Sequence, residues 1–233
     1  MFKNFWKHHN IVSKNIHHYD KLVNNINCKY VWKCSSQHIV NNYRKNVTSR
    51  HLEIGPGTGH FLTRQQLASS SHIIDYLTLI DINPDILEYS KTILDKEYTT
   101  TPIQTINHNI FSNTIPTKYR NSLEFNSVGI NYVLHCIPGK LENKLDTLLN
   151  NLISSKASRS TDKSSFTLFG STVICDPLHL NTLAEYELML LNGIGIFHND
   201  NDTFDELSSY LNSNNIPHNL TKKGYVAIFS LQV

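Results

Sequence analysis

The sequence predicts an α/β fold, a doubly wound and mostly parallel sheet covered by helices on both faces. Three observations predict it. Strand and helix patterns alternate from Arg50 onward, a glycine-rich turn follows the first strand, and an acidic residue closes the second. Alternation of this kind buries both faces of a sheet beneath crossover helices. With 233 residues, 39% of them hydrophobic and 17% charged, the chain is long enough for one such domain and needs no second.

The elements follow in order. Ser13 to Asn25 reads as a helix, with Ile16, Tyr19, Leu22, Val23 and Ile26 at three- and four-residue intervals. A short apolar-polar alternation, Tyr30 to Cys34, separates it from a second helix over Ser35 to Tyr43, which has serine at its start. His51 to Ile54 is the first strand, and Phe61 to Ala68 the helix after its glycine turn. Tyr76 to Asp81 is a strand, and Pro84 opens the next helix, where a ring without an N–H is tolerated. Strands are expected at Thr101 to Asn107, Ser127 to Val133 and Phe166 to Cys175, and a helix from Leu141 to Ser154. Helices at Leu180 to Leu191 and Thr203 to Asn212 precede a final strand, Gly224 to Val233, which suits an antiparallel hairpin at the sheet edge. Ala157 to Ser165 is polar and reads as an exposed loop.

Composition narrows the classes. The longest apolar runs, such as Val128 to Leu134, are far too short to cross a bilayer. Met1 to Asn10 lacks the apolar stretch of a secretory signal, and no arginine appears before Arg44, against a mitochondrial presequence. A cytoplasmic setting is expected. The four cysteines, Cys28, Cys34, Cys136 and Cys175, form no C-x-x-C pair and no zinc spacing, so reduced thiols and no metal are expected. Residues 1–50 carry nine Lys and Arg against Asp20 alone, which leaves the rest of the chain net acidic. A basic segment of this kind meets solvent, an anionic substrate or RNA.

The most specific feature is His51-Leu52-Glu53-Ile54-Gly55-Pro56-Gly57-Thr58-Gly59. Glycines here let a strand turn sharply into a helix while its backbone approaches a ligand. A G-x-G-x-x-G turn would suit a dinucleotide pyrophosphate. This turn is G-x-G-x-G with Glu53 before it, and an acid suits the ammonium-bearing tail of S-adenosylmethionine, directly or through water. Asp81 follows 22 residues after Gly59, at the carboxyl edge of the next strand, beside Ile82. A carboxylate there can accept both ribose hydroxyls. After the third strand come His108, Asn109 and Ile110.

Together Glu53 to Leu62, Leu79 to Leu87, Asn131 to Gly139, Phe169 to Thr172 and Gly195 to Asn199 resemble the class I S-adenosylmethionine-dependent methyltransferases. More narrowly they resemble a subgroup of small enzymes found in bacteria and in fungal secondary-metabolite clusters. That subgroup carries Trp-x-Cys, L-H-C-x-P-G and G-x-F-x-N, which here read Trp32 to Cys34, Leu134 to Gly139 and Gly195 to Asn199. The resemblance implies a Rossmann-like sheet of seven strands with an antiparallel C-terminal edge strand. It also implies an N-terminal helical cap over residues 1–48 of one domain, the methyltransferase fold over 49–233, and S-adenosylhomocysteine as product. Two departures stand out. Asn109 replaces the usual Asp that accepts a hydrogen bond from the adenine amino group, a role its side-chain oxygen can keep beside Ile110, and the long loop Ala157 to Ser165 replaces a tight Pro-Gly-Gly turn.

Ligands of doubly wound sheets sit at the carboxyl ends of the strands, at the switch point, which places Asn131 at the cofactor as well. Methyl transfer from a sulfonium needs chiefly alignment, and a base only where the acceptor must lose a proton. His135 is the first candidate for that base and His198 the second. His135 packing beside the cofactor is an equal alternative, and Cys136 is expected only to pack. Tyr19, Tyr30, Trp32 and Phe197 are candidates for the acceptor's apolar surroundings, or else core.

The leading function is methyl transfer to a small molecule, with oxygen slightly preferred over nitrogen. An RNA methyltransferase using the basic N-terminal segment is the alternative enzyme, although Asn131-Tyr132-Val133-Leu134 lacks the prolines of an adenine-N6 tetrad. A protein-arginine enzyme would need a paired-glutamate loop and a metal-dependent catechol enzyme an acidic ligand cluster, and neither is found. A non-catalytic S-adenosylmethionine binder would keep Glu53 and Asp81 without an acceptor pocket.

Overall fold

The structure is a computed structural model that describes residues 27–68, 74–120, 123–156, 165–176 and 181–233. The first expected helix and Tyr19 lie outside the described residues, as does most of the Ala157 to Ser165 loop.

The chain enters through a π-type turn at 27–31, closed by the Trp32 amide on the Asn27 carbonyl at 2.9 Å. Helix α1 (Ser36–Asn46) starts at Ser35, whose hydroxyl accepts the Gln37 amide. Then come β1 (Arg50–Ile54), a 3₁₀ turn (His60–Leu62), α2 (Arg64–Leu67), β2 (Tyr76–Asp81), α3 (Pro84–Glu97), β3 (Ile103–Asn107) and α4 (Thr117–Arg120). The second half holds β4 (Ser127–Asn131), a 3₁₀ turn (Leu134–Cys136), α5 (Leu141–Ser155), β5 (Thr167–Val173), α6 (Thr182–Gly193), α7 (Phe204–Ser213), β6 (His218–Lys223) and β7 (Val226–Gln232).

The seven strands form one sheet in the order β3-β2-β1-β4-β5-β7-β6. Strands β1 to β5 pair in parallel, and β7 runs antiparallel to both β5 and β6. The mostly parallel Rossmann-like sheet is as expected, with one difference at its border. The C-terminal strand lies inside, between β5 and β6, and β6 is the edge. Strand β6 (HNLTKK) escapes a hydrophobicity pattern because it is exposed at most positions, and its lysines suit an unpaired border.

Alternating side chains divide the core into two layers. Leu52, Ile54, Val128, Ile130 and Leu168 face α5 and α7, meeting Leu145, Leu148, Leu152, Leu207 and Leu211. Leu77, Leu79, Phe169 and Ile228 face the other way, against Ile39 and Tyr43 of α1, Leu87 and Leu94 of α3, and Leu188 of α6. Order reverses between β1 and β4, so their carboxyl ends open side by side.

Candidate active site

Beneath the end of β1 lies a buried polar chain. Glu53 is 2% exposed and accepts from the Tyr43 hydroxyl at 2.6 Å and from His51 Nε2 at 2.9 Å, one on each oxygen. Ser127 lies 2.9 Å from His51 Nδ1, and both the amide and the hydroxyl of Thr48 reach Ser127. His51 and Glu53 share a face because they are two apart on one strand. The space they occupy is left by Gly129 on neighbouring β4, where a Cβ would overlap the Glu53 carboxylate. Burial and the adjacent Glu53 charge push the Tyr43 phenol well above its ordinary range, so it stays a proton donor. Glu53 therefore lies just before the turn with both oxygens already engaged.

Above it the turn is shaped for close approach. Gly55, Gly57 and Gly59 all have positive φ, at 67°, 55° and 76°. At Gly57 an added Cβ would meet nothing within 4 Å, whereas at Gly55 it would strike Val133 at 2.5 Å. The turn is thus open on its outer side and pressed on its inner side against the segment after β4. Its geometry is fixed by the Gly55 amide on the Ile80 carbonyl at 2.9 Å and the Gly59 amide on Pro56 at 2.8 Å.

At the end of β2, Asp81 Oδ1 accepts the Asn83 amide at 2.8 Å. Asn83 in turn caps α3, and Pro84 occupies the first turn. Burial raises the Asp81 carboxyl to about 6, opposed by the amides of Asn83 and Ile82. Asn107 locks this corner from β3 by donating to the Asp81 and Ile82 carbonyls at 3.0 and 2.9 Å. Asn109 Oδ1 accepts the Phe111 amide at 3.0 Å, closing its own turn, while Ile110 is buried beside it.

Strand β4 ends earlier than expected. Tyr132 adopts φ 57°, which turns the chain out of the sheet and into the 3₁₀ turn bearing His135. Asn131 accepts the Ser171 hydroxyl at 3.0 Å. Its amide nitrogen, turned toward Tyr43, is buried without a hydrogen bond of ordinary geometry, and so is the Tyr132 hydroxyl beside Cys28 and Cys34.

His135 is 3% exposed, and its Nδ1 accepts the Val173 amide at 3.2 Å. Burial, then the nearby Lys144 charge, lowers it to about 3. The imidazole is therefore neutral with its proton on Nε2, and it has no free lone pair to take another. Of the two readings of His135, base and packing residue, this geometry favours packing. Phe197 sits edge-on to the His135 ring at 4.3 Å, and Trp32 faces Phe197 at 6.0 Å. These three form an apolar wall. Tyr30 does not join it, being 54% exposed with Lys29 over its ring. His198 is partly exposed; burial, followed by Lys144, lowers its pKa from the ordinary value. It is neutral at physiological pH. Burial pushes the Cys136 thiol up to about 12, which leaves it inert.

The donor set fits S-adenosylmethionine. A turn open at Gly57 and a carboxylate at the end of the neighbouring strand β2 lie together at the carboxyl edge of the sheet. No group of three or more His, Cys, Asp or Glu among the described residues is arranged to hold a metal. Sequence reasoning missed Tyr43, His51 and Ser127, although the two-residue spacing of His51 and Glu53 was a usable signal.

A glycine turn, an acid one strand later and this strand order define a Rossmann-like methyltransferase. No family model matches the chain. It is 30% identical to the methyltransferase ctvB of Aspergillus terreus over 81% of its length and 77% of that protein's. It is 31% identical to the methyltransferase aurB of Calcarisporium arbuscula, over 79% and 78%. Demethylluteothin O-methyltransferase of Streptomyces thioluteus is 28% identical over 91% and 84%. Among solved structures, an S-adenosylmethionine-dependent methyltransferase of Aquifex aeolicus shares the fold with a TM-score of 0.56 at 12% identity, covering 95% of this chain and 98% of that one. The mitomycin 7-O-methyltransferase does so at 0.58 and 14%, covering 98% of this chain and 60% of that one. The chain belongs to the class I S-adenosylmethionine-dependent methyltransferases.

Proposed function

We propose that this chain transfers the methyl group of S-adenosylmethionine to an oxygen of a small organic acceptor. The observation that supports it most is the open Gly55–Gly59 turn, at positive φ throughout its glycines, beside Asp81 at the carboxyl end of the neighbouring strand. Oxygen is favoured because the Streptomyces relative is named an O-methyltransferase. When bound, the cofactor supplies a methyl group already activated on a sulfonium.

The residues then have separable tasks. Gly55, Gly57 and Gly59 admit the amino-acid tail, and Glu53 places negative charge beneath it. Asp81 accepts the ribose hydroxyls beside Ile82. Asn109 and Ile110 border the adenine. Asn131, at the carboxyl end of β4 with its side-chain oxygen held by Ser171, borders the cofactor. Trp32, Phe197 and neutral His135 exclude water and align the acceptor, which is the main source of rate in an in-line transfer. His198, neutral and partly exposed, takes the acceptor's proton where one must be lost. The reading includes residues 1–48 as a cap of the same domain and a cytoplasmic setting. Four free thiols support the setting, and no helix among the described residues is long and apolar enough to cross a membrane.

The test is incubation of the purified protein with methyl-labelled cofactor and a panel of phenols, amines and thiols. Label on phenolic oxygen is expected. Tight S-adenosylhomocysteine binding with no acceptor turned over would replace this reading with that of a non-catalytic binder.

A further inference from the structure

Helix α5 carries a lysine where its periodicity asks for an apolar residue. Leu141, Leu145, Leu148, Leu149 and Leu152 make up its buried stripe, and Lys144 lies in that stripe at 2% exposure. Taking an ammonium out of water costs several kcal/mol, and an apolar residue of similar volume would serve folding as well or better. Its partners show what the charge is for. Lys144 Nζ donates to Asp202 Oδ2 at 2.6 Å and to the His198 carbonyl at 2.8 Å. Asp202 is itself 2% exposed.

Both partners belong to residues 195–202, which join α6 to α7. The same segment is tied to the 3₁₀ turn and to the end of β5 by three other bonds. The His198 amide reaches the His135 carbonyl at 2.7 Å, Asn199 Nδ2 the Val173 carbonyl at 2.9 Å, and the Cys175 amide the Asp202 carbonyl at 2.8 Å. Asn192 and Asn199 exchange two further bonds, at 3.0 and 3.1 Å. The segment is thus held on its sheet side by neutral bonds and on its helix side by Lys144 alone among these contacts. Phe197, at the start of the held stretch, lies against His135.

We infer that Lys144 and Asp202 are positioning residues, a buried clamp between α5 and residues 198–202 that sets Phe197 and His198 against His135 and thereby sets how the acceptor fits. The clamp rests on the reading of that wall as the acceptor's. It acts on acceptor fit and leaves the cofactor half, at Gly55–Gly59 and Asp81, untouched.

Removing one partner would strand the other charge and endanger folding. The informative variant is therefore Lys144→Met with Asp202→Leu, which keeps the volume filled. The full chain carries Trp6→Phe throughout, so that Trp32 is the only tryptophan, and 1-naphthol is the acceptor probe. The double variant is expected to keep its thermal midpoint and to bind S-adenosylhomocysteine within about twofold of the parent. Its Trp32 emission should shift, and its kcat/KM for 1-naphthol should fall about tenfold, with KM raised and kcat lowered as Phe197 and His198 move together. A folded variant with parental Trp32 emission and parental kcat/KM overturns the clamp. Should the parent not methylate 1-naphthol, the emission decides: a shift supports the clamp and parental emission overturns it. The functional reading is judged separately by the acceptor panel.

Discussion

Asp81 is the residue whose protonation the fold has altered most usefully. Its carboxyl titrates near 3.8 in an unfolded chain and near 6 when folded, because burial disfavours the charge. Between those values the folded protein holds the extra proton, so this group's contribution to stability is present below the unfolded value and is lost as pH rises through 6. Cofactor affinity runs the other way, since the ionised carboxylate accepts the ribose hydroxyls. Titration calorimetry with S-adenosylhomocysteine should show affinity falling below pH 6, by up to about tenfold per unit. Asp81→Asn should weaken binding by roughly ten- to a hundredfold and flatten that dependence. Gly129 makes a second prediction at this scale. A methyl there overlaps the Glu53 carboxylate, which must then release Tyr43 or His51. Gly129→Ala should cost about 2 kcal/mol or more in urea denaturation, and much less when Glu53→Ala has already vacated the space. Equal costs in both backgrounds would show that Glu53 is not what Gly129 accommodates.

Among the elements, α7 shows how local sequence sets up the site. Thr203 caps it, accepting the Glu206 amide at 3.1 Å while the Glu206 carboxylate accepts the Thr203 amide at 3.2 Å. This capping box fixes where the helix begins, with the cap one residue after Asp202 and the helix two. Thr203→Ala should destabilise the protein by about 1 kcal/mol in urea denaturation. The helix was legible for this reason: a Thr with Glu three residues on, then Leu207 and Leu211 inward. Strands β2, β4 and β5 were equally legible, being short and largely apolar runs buried on both faces, and β1 by the glycine turn that ends it. Legibility failed where a tertiary bond overrides local pattern. The helix expected over Phe61 to Ala68 is a 3₁₀ turn followed by four α-helical residues, with the turn pinned by the Leu62 amide on Gly59 and the Tyr98 hydroxyl on the Leu62 carbonyl. The strand expected to reach Val133 stops at Asn131 because Tyr132 turns left-handed. The site divides the same way. Glycines and Asp81 belong to strand ends and show in one dimension, whereas the lone pair of His135 is taken by Val173, 38 positions away. No spacing rule reports that.

For the whole molecule, the opening lies where the strand order reverses, and its border is made of segments from both halves of the sheet. Gly55–Gly59 and Asp81 come from the β1 and β2 side, Asn131 and Val133 from the β4 side. A ligand bridging them binds only when β1, β2 and β4 are paired, so its binding free energy adds to the folding free energy of the sheet. S-adenosylhomocysteine at a hundred times its Kd should therefore stabilise the fold by about 2.7 kcal/mol. For a domain of this size that raises the thermal midpoint by roughly 5–10 °C. NAD, whose pyrophosphate would meet a turn with Glu53 beneath it, should leave the midpoint unchanged. Because binding favours ionised Asp81, the shift should be larger at pH 7.5 than at pH 5.5 at a fixed ligand concentration. Differential scanning fluorimetry of the full chain with each nucleotide at both pH values measures all of this. An equal shift from NAD would overturn the cofactor assignment, and a shift independent of pH would remove Asp81 from the contact.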